Sequence, residues 1–105
     1  MRNIHLRASS TLLIVEVDGD LDAVGGYDLS RSVDLALHDG RRRISIDLSR
    51  VLSMDAAGVS RLRQCVRHAV AAGAELSLGA CSRPALQSLR NFDGRSRLDG
   101  HCVQE

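Results

Sequence analysis

The chain has 105 residues, 44% of them apolar and 26% charged, which is enough for one hydrophobic core, too short for two, and unlike the composition of a disordered segment. Its 14 basic residues are all arginine and face 13 acidic ones, so a formal net charge of +1 gives no global field to gather nucleic acid or an anionic membrane, and there is no lysine for a Schiff base or a phosphate loop. Tyr27 and Phe92 are the only aromatic side chains, which leaves nucleic-acid bases almost nothing to stack on.

The segment Met1 to Arg7 lacks the apolar centre of a signal peptide, and no apolar run reaches the length of a membrane span, so a cytosolic protein without membrane insertion is expected. Ile4-His5-Leu6 has the pattern of an edge strand, and Leu12 to Val17 reads as a β-branched strand closed by the turn-rich Asp18-Gly19-Asp20. From Tyr27 to His38, Leu29, Val33, Ala36 and Leu37 recur at helical spacing and Gly40 stands where a helix stops. Gly25-Gly26 predicts that this helix begins late or frays at its start. Arg41-Arg42-Arg43 is expected to be a solvated turn.

Ile44 to Leu48 alternates as a second main strand, and a short loop is expected to lead from it to Asp55. Val59, Leu62, Val66, Ala69 and Val70 then mark one face of a helix that Gly73 ends. Ala74 to Gly79 carries Leu76 and Leu78 as a third buried strand, and Pro84 opens a short helix with Ala85, Leu86, Leu89 and Phe92. The tail from Asp93 to Glu105 is polar and poorly patterned, and leaves open whether Arg97 to Val103 forms a final strand or helix. This alternation predicts an α/β fold in a single domain 1–105, with a core over roughly residues 12–92: a mixed, mostly parallel sheet of four or five strands with helices packed on it.

Most motifs that suggest chemistry fail on inspection. Asp18, Asp20 and Asp22 have the alternate spacing of a calcium loop, yet Ala23 stands where the loop needs glycine and Leu29 where it needs the bidentate glutamate. Glu16-Val17-Asp18-Gly19-Asp20 resembles the strand-end signature of haloacid-dehalogenase-type phosphatases, but Glu16 occupies the nucleophile position, and the chain is short and lacks the lysine that family needs. Cys65, Cys81 and Cys102 are odd in number and widely spaced, so they are expected as reduced thiols serving as small hydrophobes. His5, His38, His68 and His101 pair with nothing at ligand spacing. No catalytic residue, metal ligand or cofactor site is assigned, and a binding protein is expected rather than an enzyme.

The deciding segment runs from Ile46 to Val59, in which a strand leads to Asp55 at the head of an amphipathic helix, where its carboxylate can accept from first-turn amides. Ile46-Asp47-Leu48-Ser49 followed by Val51 and Asp55-Ala56-Ala57-Gly58-Val59 resembles the signature of STAS domains, in which Asp-Leu-Ser precedes Asp-Ser-Ser-Gly-Leu at a helix head. Val17-Asp18-Gly19-Asp20-Leu21-Asp22 is similar to the family's upstream Gly-Glu-Leu-Asp. The resemblance covers roughly residues 12–92 and implies a STAS-like domain of the anti-anti-sigma-factor type. In that branch the first serine after the aspartate is phosphorylated by an anti-sigma factor of the histidine-kinase-like ATPase fold, and phosphorylation ends the complex.

The matching position here is Ala56, a phosphoacceptor equivalent with no hydroxyl, so phosphorylation there is not expected to switch the domain off. Ser53 and Ser60 flank it as weaker candidates for modification. The resemblance implies a partner-binding surface made of Asp22, Ala23, Met54, Asp55, Ala56, Ala57, Gly58, Ser60 and Arg61. The alternative is a STAS subunit of a larger assembly, such as a lipid-transport ABC complex or a stress-signalling particle. The identity of the partner and the oligomeric state stay open.

Overall fold

The computed structural model describes residues 4–9, 11–93 and 103–104. Its elements in chain order are β1 (Ile4–Ala8), β2 (Leu13–Leu21), α1 (Ala23–His38), β3 (Arg43–Met54), α2 (Ala56–Ala71), β4 (Glu75–Cys81), α3 (Arg83–Asp93) and β5 (Val103–Gln104). The strands form one sheet in the order β1-β2-β3-β4-β5, with β1 antiparallel to β2 and every later pairing parallel. This is the mixed, mostly parallel sheet expected from the alternation of strand and helix patterns. Residues 94–102, which include His101, Cys102 and most of the undecided 97–103 segment, lie outside the described residues.

Because consecutive strands are neighbours, each crossover helix lies beside the one before it: α1 packs on α2 and α2 on α3, making one helical layer on one face of the sheet. The core forms between these layers. Val15, Val17, Ile44, Ile46, Leu48 and Leu78 from the strands meet Leu29, Val33, Leu62, Ala69, Ala85 and Leu89 from the helices, all close to fully buried. On the other face the alternate residues are mostly polar, and Arg7 of β1 holds Glu16 of β2 at 2.9 Å and reaches Asp47 of β3 at 4.0 Å.

The structure departs from the expected elements at several points. The first helix begins at Ala23 rather than after Gly25-Gly26, because both glycines are packed against other parts of the chain and tertiary contact outweighs their weak helix propensity. The stretch before Asp55 is strand, not loop: β3 continues to Met54 along β2, with register shifts that absorb the irregular pairing. Val70 is exposed, and Cys65 takes its place on the buried face of α2. Cys81 is disulfide-bonded, against the expectation of reduced thiols throughout, whereas Cys65 is free.

The three arginines of the 41–43 turn are also more engaged than a solvated turn requires. Arg41 donates to the Ser9 carbonyl at 3.0 Å, and Arg43 faces Glu75 at 3.5 Å. Arg42 reaches the Gly73 carbonyl at 3.3 Å, placing a cation at the negative end of α2. Gly73 itself has φ +76, the left-handed conformation that lets Ala74 N–H return to the Ala69 carbonyl at 2.9 Å and close the helix.

Candidate protein-binding site

Strands β2 and β3 end side by side, with Leu21 in register with Met54, so the next residue of each chain segment, Asp22 and Asp55, starts a helix at the same end of the sheet. Both aspartates have extended backbone and cap their helices in the same way. Asp22 Oδ1 accepts from Gly25 N–H at 2.9 Å, and Asp55 Oδ1 accepts from Gly58 N–H at 2.9 Å. Each cap satisfies a first-turn amide and sets a negative charge at the positive end of a 16-residue helix. Asp55 N–H in turn points to the Leu21 carbonyl at 3.4 Å, which ties the second helix head to the end of β2.

The glycines in the two first turns are matched as closely as the caps. A Cβ on Gly25 would stand 2.8 Å from the Asp20 carbonyl oxygen, and one on Gly58 would overlap the carbonyl oxygen of Leu21. Asp22-Ala23-Val24-Gly25 and Asp55-Ala56-Ala57-Gly58 are thus two copies of one device: an aspartate cap followed, three residues on, by a glycine that presses the helix head onto a strand end. The repeat is visible in the sequence, and it is the signal by which the early start of α1 could have been found.

The consequence is a fixed platform. Asp22, Ala23, Asp55, Ala56, Ala57 and Ser60 are exposed on it, and Arg61 is half-buried at its edge. Met54 and Gly58, expected on the same surface, are buried: the Met54 side chain belongs to the core, and the close approach that Gly58 permits is to Leu21 within the molecule. Arg61 lies across α1, where its Cγ would be 2.6 Å from a Cβ on Gly26. Its guanidinium sits 5.9 Å from the Tyr27 ring centre and donates to Gln64 Oε1 at 3.2 Å. Ser53 Oγ donates to Asp20 Oδ1 at 2.7 Å beside the platform.

Three apolar residues outside the expected contact surface are exposed near the helix heads: Val24 (71% exposed), Tyr27 (50%) and Leu52 (72%). Val24 precedes the expected start of the first helix, and Leu52 lies in the stretch expected as loop, so neither is visible as a helix or strand surface residue from the sequence pattern. The platform therefore carries apolar and small side chains with the carboxylates of Asp20, Asp22 and Asp55 around them. On the buried face of α2, burial pushes the Cys65 thiol from 9.0 up to about 12, with the Asp34 charge adding to the effect and Arg61 opposing it, so this sulfur stays protonated and unreactive. Among the described residues no group of His, Cys, Asp and Glu is arranged to hold a metal ion, and no helix is long and apolar enough to cross a membrane.

The family model described as "Mlab, STAS domain" matches residues 4–98. The chain belongs to the STAS domain family. Solved structures with the same fold as this STAS domain include the anti-sigma factor antagonist SpoIIAA in its unphosphorylated form, with a TM-score of 0.79 and 17% identity over 97% of this chain and 87% of that one. SpoIIAA of Bacillus in its phosphorylated form gives a TM-score of 0.73 and 18% identity, covering 97% of this chain and 90% of that one. An anti-sigma factor antagonist from Mycobacterium paratuberculosis gives 0.75 and 19%, covering 96% of this chain and 82% of that one. No curated protein matches the chain in sequence.

Proposed function

We propose that this STAS domain is a non-enzymatic, anti-anti-sigma-type binding module whose contact surface is the platform formed by the heads of α1 and α2. Its partner in this reading is an anti-sigma factor of the histidine-kinase-like ATPase fold, held so that the sigma factor is released for transcription. The observation that carries the proposal is the exposed Ala56, the first residue of a helix capped by Asp55 and seated on the end of β2. A phosphate at this position would bring nearly two negative charges to a surface that packs against a partner, beside carboxylates that repel it. Alanine removes the acceptor oxygen, so the surface stays neutral at its centre and available at all times.

The fold shared with SpoIIAA, an anti-sigma factor antagonist known in unphosphorylated and phosphorylated forms, supports the anti-anti-sigma reading. Binding of the purified partner by the native chain and by Ala56→Glu tests the surface. A carboxylate buried in the contact weakens binding by several kcal/mol, on the order of the cost of an unpaired interfacial charge. Equal affinity removes Ala56 from the interface.

A second reading is kept because the matching family model carries the Mlab description: a STAS subunit of a larger assembly, such as a lipid-transport ABC complex, which needs no phosphoacceptor. Co-purification of the chain with a transport ATPase instead of a small kinase selects it. Both readings place the protein in the cytoplasm.

A further inference from the structure

Helix α1 lies at the β1 side of the helical layer, with α2 on one flank and nothing packed on its outward face among the described residues. That face carries Val24, Asp28, Arg31 and Leu35, spaced so that all four fall on one narrow stripe about 16 Å long. Val24 and Leu35 are both more than half exposed, and the half-exposed Tyr27 widens the apolar area toward α2. Neither Asp28 nor Arg31 has an ion-pair or hydrogen-bond partner among the described residues.

The order along the stripe is apolar, acidic, basic, apolar. Two copies laid antiparallel about a two-fold axis midway between Asp28 and Arg31 therefore set Val24 of each against Leu35 of the other, and Asp28 of each against Arg31 of the other. Every contact is made twice, as the two-fold requires, and no like charges meet. A foreign partner would have to reproduce this order by coincidence, whereas a second copy has it already. We infer that the outward face of α1 is a self-association surface, and that the chain forms a two-fold dimer through Val24, Asp28, Arg31 and Leu35. One helix face against another buries less than a standard stable interface, so the dimer is weak and concentration-dependent. This inference does not depend on the identity of the partner proposed above.

Sedimentation of the full chain over about 10 µM to 1 mM, the range in which so small an interface exchanges, tests it. The native chain is expected to rise from monomer toward dimer mass with concentration. Arg31→Asp faces Asp28 of the second copy with a like charge and weakens the dimer at least about tenfold, as does Asp28→Arg, while the double variant Asp28→Arg with Arg31→Asp restores it to within about threefold. Both positions are on the surface, and circular dichroism verifies that each variant keeps its helix content. A native chain that stays monomeric throughout overturns the inference. A dimer indifferent to Arg31→Asp, or one the charge swap does not restore, overturns it equally.

Discussion

Gly58 lies so close to the carbonyl oxygen of Leu21 that no Cβ fits between the first turn of α2 and the end of β2. A glycine inside a helix ordinarily costs about 1 kcal/mol relative to alanine, so an unconstrained position would gain from replacement. At this position the obstacle is backbone and cannot swing away. Gly58→Ala is predicted to destabilise the fold by about 2 kcal/mol or more, measured by urea unfolding, through the strain of forcing the helix head off the strand. A rise in stability would show that the two segments are not in contact.

The caps make a separable contribution. Asp55→Ala removes the acceptor for the Gly58 amide at 2.9 Å and should cost about 1 kcal/mol, while Asp55→Asn keeps the acceptor and loses only the charge, so it should cost less. A lower urea midpoint with an unchanged slope is the expected signature. Identical midpoints for Asp55→Ala and the native chain would mean the cap is not formed in solution.

Cys65 predicts a definite pH response. Its folded pKa of about 12 lies above the ordinary 9.0, with burial as the main cause. Between these values the unfolded chain releases the thiol proton and the folded chain keeps it, so the stabilisation is complete below pH 9 and is lost as pH rises toward 12. The native chain should lose stability over this window more steeply than Cys65→Ala. Peptide mapping after treatment with a thiol reagent at pH 8 should find Cys65 unlabelled in the folded chain and labelled in urea. Rapid labelling without denaturant would contradict its burial.

Arg42 reaches the carbonyls of Ala72 and Gly73 at 3.5 and 3.3 Å from an exposed position. Such a contact is screened by water and salt, so Arg42→Ala is predicted to cost only about 0.5 kcal/mol, less still in high salt. A loss several times larger, insensitive to salt, would mean that the arginine holds more than the end of α2.

Where a residue's fate depends on its own segment, the sequence is mostly a sufficient guide. The alternation at Ile44, Ile46 and Leu48 and the helical spacing of Leu29, Val33 and Ala36 identify core faces because burial and periodicity coincide there. Apart from Val70, which stands just off the buried stripe of its own helix, the departures lie where a distant segment decides. Gly25-Gly26 looks like a weak helix start until Asp20 and Arg61 are brought against it, and Leu52 looks like loop until β2 supplies a strand to pair with its neighbours. Met54 and Gly58 stand in the motif, yet the pairing of Leu21 with Met54 turns Met54 into the core and Gly58 packs on the Leu21 carbonyl. The exposed side chains at the site, by contrast, follow directly from capping: once Asp55 is the N-cap, Ala56 and Ala57 open the helix and face outward.

The most direct test is phosphoryl transfer from labelled ATP by the anti-sigma factor recovered with the chain from native extract, applied in parallel to the native chain and to Ala56→Ser. The account predicts no label on the native chain and label on the new hydroxyl of the variant. Label on the native chain, or a tightly bound kinase that leaves Ala56→Ser untouched, would contradict it.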